Sequence, residues 1–405
     1  MLRIILRGSF SHLLFAAILV AFFSIVAQAQ SSVFSTGLNG PIKIINAADD
    51  TMLVAEVGTL APNTGRISII DGAPGARQTL IDGLPSGINT VAPLAPEPAG
   101  PHGLYLDGLR LFLVIGPGDA VRRGAAGVEL VNPSPSSPLF VSVLELTLPV
   151  GYQDITNGFS LSREQHETLA AGRSVTLQKG NGQELTIRMV VNLPNSAPNF
   201  RPDAPENVRA SNPFGVELYQ EELYVVDASF NLIYRVPVSV ATFNFPLAFT
   251  PKAYAYSVFT RFEQIRNPLF PGFGPPFVDA VPDSIHREGN NLNVTLLTGF
   301  PFAPGVAELR AVSLTDGSQT TLVRGLRSAI DSLKAVGGYF ILEFSSNQLA
   351  GAPGRLSFFP TTGFIRTRTR ISSELLTPTA MVRNGEGDIF ITSIATGTIV
   401  RVELP

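Results

Sequence analysis

Three acidic side chains stand at one recurring place in this chain, the last position of a five-residue and mostly apolar run. They are Glu56 after Met52-Leu53-Val54-Ala55, Asp227 after Leu223-Tyr224-Val225-Val226, and Glu343 after Tyr339-Phe340-Ile341-Leu342. Hard cations prefer oxygen ligands, so three carboxylates gathered on one rim could bind Ca²⁺. The same groups could instead each hold the loop of their own repeat by accepting backbone N–H bonds. The runs read as strands second from the centre of the molecule, which spreads the side chains apart and favours the structural role.

Histidine is the other candidate for chemistry, and the chain has 4. His12 falls in a leader segment described below. His102 and His286 lie in or just after the first strand of their repeats, near a central channel, where a hydrolase or lyase would place a general base. Neither has a nucleophile or carboxylate at a recognisable motif spacing, so a solvated or hydrogen-bonded structural role is the simpler reading. No glycine-rich phosphate loop joins a strand to a helix, and there is no Cys/His metal cluster. No catalytic residue is assigned.

The elements that would position these side chains repeat along the chain. A Pro or turn residue is followed 10 to 12 positions later by the five-residue run, then by a Gly-containing loop and another apolar strand. The runs are 52–56, 111–115, 223–227, 292–296, 339–343 and 389–393. Each follows a short candidate for the innermost strand: Pro41-Ile42-Lys43-Ile44, Pro101-His102-Gly103-Leu104, Pro213-Phe214-Gly215-Val216, Pro282-Asp283-Ser284-Ile285, Ser328-Ala329-Ile330 and Pro378-Thr379-Ala380-Met381. Such a unit cannot bury its own apolar face and must stack on copies of itself. Four-stranded units set around an axis leave only short, protected edges. The fold class is therefore read as all-β, a six-bladed β-propeller.

A motif for the outer strand also recurs. Thr79-Leu80-Ile81-Asp82-Gly83-Leu84 matches Thr321-Leu322-Val323-Arg324-Gly325-Leu326, and Ser32-Val33-Phe34-Ser35-Thr36-Gly37-Leu38 has the same pattern with no blade in front of it. The last blade ends after its third strand. The early segment is thus expected to supply the outer strand of the last blade and close the ring.

Composition narrows the partners. With 45% apolar and only 15% charged residues, the 405-residue chain has ample material for a large core, and its 37 Gly and 32 Pro suit many tight turns. A net charge of -3 offers no basic footprint, which argues against nucleic acid and against electrostatic membrane docking. Arg3 and Arg7, an apolar run over 13–26 and then Ala27-Gln28-Ala29 read as a signal peptide over 1–29. An uncleaved anchor is the alternative. The expected products are a domain over 30–405, a secreted or periplasmic location and no stable membrane span after cleavage. The cysteine count of zero removes a lipoprotein anchor and any disulfide.

The loop after the five-residue run is short at 228–231 and 394–397 but enlarged at 57–64, 116–137, 297–306 and 344–354. These loops leave equivalent strand ends, so they must gather on one face, where insertions in a repeat protein often bind. Phe300 and Phe302 are the candidate contacts there. The segment 150–195 looks inserted or rebuilt, with a Ser162-Arg163-Glu164-Gln165 helix cap and a hairpin turning at Gly180-Asn181-Gly182, and is read as decoration on the second blade. The aromatic, proline-rich stretch 243–277 reads either as a docking surface or as a plug between the third and fourth blades.

Three of these features resemble a known family. They are the run Ser211-Asn212-Pro213-Phe214-Gly215-Val216 before 223–227, the loop Leu297-Thr298-Gly299-Phe300-Pro301-Phe302-Ala303-Pro304-Gly305, and the pairing of Ala55-Glu56 with Gly65-Arg66-Ile67. Together they are similar to the ScyD/ScyE-type family, exported propellers first associated with bacterial clusters that make the sunscreen pigment scytonemin. The resemblance covers most of the chain after the leader. It implies a six-bladed propeller related to NHL-repeat proteins, with no catalytic residues to carry over. Ile115 and Leu296 depart from it, since a blade often has Asp or Glu at that position.

The functional expectation is a non-catalytic exported propeller that binds a small molecule, a glycan or a protein partner through the long-loop face, and that could serve an extracytoplasmic pathway. The alternative is a metal-dependent hydrolase or lyase of the gluconolactonase or streptogramin-lyase type. Binding is expected at Glu56, His102, Asp227, His286, Phe300, Phe302 and Glu343, with Ca²⁺ the one cofactor considered.

Overall fold

The second strand of every repeat is buried along the whole five-residue run, because each sheet is covered by a neighbouring blade on both faces. That double burial is why these strands read as continuous apolar runs and not as alternating ones. The computed structural model describes residues 29–48, 50–72, 75–92, 95–238, 255–361 and 369–404. Residues 1–28 of the expected signal peptide, His12 among them, lie outside the described residues.

Six antiparallel sheets are arranged as a β-propeller. Their first strands, from blade 1 to blade 6, are Pro41–Asn46, Pro101–Asp107, Pro213–Tyr219, Pro282–Glu288, Ala329–Ala335 and Pro378–Arg383. Each touches the one before and the one after, and the sixth touches the first, so they enclose an axis. All six carry a register irregularity just after their first residue. A bulge there twists the strand and re-aims its next side chain.

The ring closes as the repeat pattern predicts. Gln30–Ser35 pairs antiparallel with Thr398–Glu403, placing Val33 opposite Val400, and so completes blade 6. Phe34 meets Phe390 edge to face at 4.7 Å, and the Leu38 N–H donates to the Gly397 carbonyl at 3.1 Å. The glycine of the outer-strand motif has φ of +79° at Gly37, +70° at Gly83 and +78° at Gly325. A residue with a Cβ adopts that backbone reluctantly, which explains the recurring Gly before a buried Leu.

The core lies between blades. Ile44, Val54 and Ile70 of blade 1 cluster with Ala380, Phe390 and Ile399 of blade 6, and Ile330 and Leu342 of blade 5 cluster with Met381 and Ile391 of blade 6. No blade could bury its apolar face alone.

The segment 150–195 is shared between two blades. Glu184–Asn192 is the fourth strand of blade 2, beside Ser142–Thr147, and Val175–Gln178 forms a fifth. The helix Arg163–Ala170 between them starts with a reciprocal cap from Ser162 and Gln165. Phe159–Ser160 instead runs parallel to the outer strand of blade 1. His166, fully buried, has Nε2 at 2.9 Å from the Gly83 carbonyl and Nδ1 at 3.1 Å from the Ser137 hydroxyl. It ties this helix to blade 1 and to the long loop of blade 2.

Candidate functional site

The enlarged loops do collect on one face, where they surround a funnel of about 650 Å³ that runs down to the axis. Val57, Pro117, Leu297, Phe300, Phe302 and Phe344 contribute apolar wall from four blades. Two further walls were not foreseen from the sequence. One is the hairpin of Gly87–Asn89 and Glu97–Ala99, and the other is that of Ser196–Pro198 and Val208–Ala210. Both are connections between blades and carry no repeat signal. Arg123 holds the first by donating to the Val91 and Ala92 carbonyls, and Asn207 and Glu129 tie the second to the loop of blade 2.

The funnel floor is made by one equivalent residue from each blade, the second of its first strand: Ile42, His102, Phe214, Asp283, Ile330 and Thr379. The bulge at that position turns these side chains toward the axis. Three of the six are apolar, so the polar ones define what the floor can bind. Thr379 is already engaged, since its hydroxyl donates to the Pro41 carbonyl at 2.9 Å and lies 2.8 Å from Thr392 Oγ1.

His102 is buried and packs its ring 4.8 Å from that of Phe214. Nδ1 lies 3.0 Å from the Pro213 carbonyl, which can only accept, so Nδ1 carries the proton and Nε2 presents a lone pair. Burial pushes its pKa down to about 4, against a smaller opposing effect of the Pro213 carbonyl, and the ring is neutral at pH 7. The ring rests on the backbone of Gly116, where an added Cβ would come within 2.2 Å of it.

Asp283 is only 6% exposed, and its Oδ1 has no hydrogen-bond partner among the described residues. Burial raises its pKa well above the usual carboxylate range, the nearby Asp331 raises it further, and Lys43 opposes both. A buried carboxyl without donors is strongly disfavoured as an anion, which favours the protonated form of Asp283.

Beneath the floor lies a chamber of about 10 Å³, lined by His102, Asp283, Thr379, Lys43 and Asp331. Asp331 is fully buried, and burial alone would raise its pKa. Lys43 and His286 outweigh that effect, with hydrogen bonds from His286 and the Met381 N–H, and hold it well below the usual range. Asp331 is therefore the ionised member of the two axial aspartates.

The structure separates the residues expected to share a site. Glu56 is fully buried and accepts from the Asn39 N–H, Arg66 and Ser68. Asp227 accepts from the Ser211 hydroxyl and from the N–H groups of Asn212, Ser229 and Phe230. Glu343 accepts from the Arg327 N–H and both ends of the Arg355 guanidinium. Each is spent within its own blade, and among the described residues no three His, Asp or Glu side chains gather to hold a metal ion. His102 reaches the funnel floor, as do Phe300 and Phe302 its wall, whereas His286 turns aside to Asp331. The carboxylate that His286 meets stands at no motif spacing because it comes from the next blade, and the contact is of the hydrogen-bonded structural kind.

The aromatic stretch divides. Phe262 is buried between blades 3 and 4, but Leu269, Phe270, Phe273 and Phe277 are close to half exposed. Phe273 meets Phe300 at 5.4 Å, so the later part of the stretch lies beside the funnel wall, while Phe262 fills the crevice between blades 3 and 4. Residues 239–254 lie outside the described residues.

No family model matches the chain, and no curated protein matches it. Solved structures do match in shape, and they are propeller proteins. A PQQ-bound aldose sugar dehydrogenase from Streptomyces coelicolor is 14% identical, covers 93% of this chain and 98% of its own, and has a TM-score of 0.48. A streptogramin B lyase is 12% identical over 94% and 99% of the two chains, with a TM-score of 0.46. A gluconolactonase from Xanthomonas campestris is 10% identical over 94% and 91%, with a TM-score of 0.45. At these identities the likeness is one of fold alone, and the chain is a six-bladed β-propeller.

Proposed function

We propose that this chain is an exported binding propeller, secreted or periplasmic, that takes a small and largely apolar molecule into the funnel on its long-loop face. The carrying observation is the funnel itself, about 650 Å³ with apolar wall from four blades, polar side chains such as Glu97, Glu129, Arg209 and Asp279 elsewhere in its lining, and few polar groups with free capacity on its floor. Its size and lining are those of a small-molecule pocket, which a flat protein-binding rim or a polar glycan groove would not need. The resemblance to the ScyD/ScyE-type family supports a role as an accessory factor of an extracytoplasmic pathway. The alternative of a metal-dependent hydrolase or lyase requires a ligand set, and the described residues offer no such cluster.

A small-molecule thermal-shift screen on the wild-type chain and on the Phe300→Ser, Phe302→Ser double variant tests this reading. Phe300 is 48% exposed and Phe302 half-buried, and a cooperative melt of the double variant checks that it is folded. Hits that stabilise the wild type and lose their effect in the variant support the proposal. A screen whose hits ignore both phenylalanines would overturn it.

A further inference from the structure

We infer that the funnel floor is a recognition site for a hydroxyl group at the tip of an otherwise apolar, uncharged ligand, read by His102 and Asp283 together. This rests on the reading of the funnel as a ligand site and adds what that ligand must carry.

Of the six floor residues, only His102 and Asp283 keep unused hydrogen-bonding capacity. The Nδ1–H of His102 is committed to the Pro213 carbonyl, and among the described residues its Nε2 has no partner. That nitrogen can only accept. Asp283 carries an unpartnered Oδ1 although it is more than nine-tenths buried. Buried polar groups nearly always have a partner, so an orphan oxygen in a carboxyl that lines a cavity points to a partner that arrives from outside. The charged groups around it are Asp331 on the first strand of the neighbouring blade 5 and Lys43 on that of blade 1, opposite in the ring, and these pair with each other at 3.5 Å. Asp331 also has His286. With its ionised neighbour already compensated, Asp283 keeps its proton and presents an O–H donor.

Both groups line the one chamber of about 10 Å³, room for a single water-sized group. A hydroxyl is the group of that size that donates once and accepts at the same atom. An ammonium would find only the Asp331 carboxylate, which is already engaged by Lys43, His286 and the Met381 N–H, and a carboxylate would meet the His102 lone pair beside that ionised aspartate. The body of the ligand would lie above, against Phe214, Ile330 and the wall phenylalanines Phe300 and Phe302.

Three probes of one shape separate the readings: cyclohexanol, its methyl ether and cyclohexylamine, with binding followed by ligand-observed NMR at pH 7. The alcohol is expected to bind the wild type about tenfold more tightly than the ether, the effect of one buried hydrogen bond. Asp283→Asn, which is neutral and keeps a donor, should retain the alcohol, Asp283→Leu should weaken alcohol and ether alike, and His102→Leu, which removes the acceptor, should lose the preference over the ether. Independently, the side-chain carboxyl carbon of Asp283, assigned by its absence in Asp283→Asn, should show the protonated shift at pH 7 in the free protein. Equal binding of alcohol and ether to the wild type would overturn the inference without needing any variant. So would tighter binding of the amine that is abolished in Asp283→Asn, since that requires an ionised carboxylate. An apolar dye, anilinonaphthalene sulfonate, reports on the funnel separately. Dye bound through Phe300 and Phe302 with no alcohol preference sinks the hydroxyl inference alone, whereas no dye binding and no probe binding sinks the funnel reading itself.

Discussion

Nε2 of His286 lies 2.6 Å from Oδ1 of Asp331, although the two residues are 45 positions apart and belong to adjacent blades. The other oxygen of the same carboxylate accepts from the Met381 N–H at 2.9 Å and sits 3.5 Å from Nζ of Lys43. One side chain of blade 5 thus draws together the first strands of blades 1, 4 and 6 across the axis. In a ring without disulfides, such a contact supplements the closure made by the Gln30–Ser35 strand.

Replacing Asp331 with Ala should therefore destabilise the protein by roughly 3–5 kcal/mol, because it strands Lys43 in a mostly buried position and frees the Met381 N–H. Urea unfolding gives the value. A loss below about 1 kcal/mol would mean that solvent already screens these charges.

Acid should weaken the fold through His102. Its folded pKa near 4 lies below the unfolded value of 6.5, so between those values the unfolded chain binds more protons and stability falls as pH falls. The slope contributed by this one group approaches about 1.4 kcal/mol per pH unit. Melting temperature measured from pH 7 to pH 4 should fall less steeply in His102→Gln than in the wild type, and parallel curves would contradict the assignment.

Asp283 acts with the opposite sign. Its folded pKa is raised, so its contribution is present below the unfolded carboxylate pKa and is lost as pH rises through the folded value. Asp283→Asn does not titrate and should melt higher than the wild type at pH 8, with the gap shrinking toward pH 4. A variant less stable at pH 8 would show that Asp283 is paired when ionised.

Removing residues 30–39 should lower the melting temperature sharply, since blade 6 would lose its outer strand and the Phe34 contact with Phe390. Scanning calorimetry on the shortened chain checks this. An unchanged melt would mean that the first strand is not needed to hold the ring.

Calcium should not matter to Glu56, Asp227 or Glu343. Their oxygens are occupied by donors of their own blades, so chelator and added Ca²⁺ should leave the melting temperature within about 1 °C. By contrast, Glu343→Ala leaves the buried Arg355 without its partner and should cost about 3 kcal/mol or more.

The strands and the closure were legible because they obey local rules. Double-sided burial writes an uninterrupted apolar run, a bulge follows the Pro that opens most first strands, and a positive φ writes Gly before Leu38, Leu84 and Leu326. The helix cap at Ser162 was legible for the same reason. His166 was passed over, since its partners, the Gly83 carbonyl and the Ser137 hydroxyl, come from separate stretches of chain. The hairpins that wall the funnel were missed because each is unique to one connection.

The periodic run of apolar residues by itself determined the all-β repeat, the number of blades and the strand that completes the last one, since each of these depends on neighbours in the chain or in an identical unit. Which polar groups are satisfied was decided by tertiary structure alone. Lys43 meets Asp331 across 288 residues, while Asp283, one position along from the same kind of Pro as His102, meets no donor. Charge and hydrogen bonding at an axis are sums over six different blades, and no spacing within any one of them records that sum.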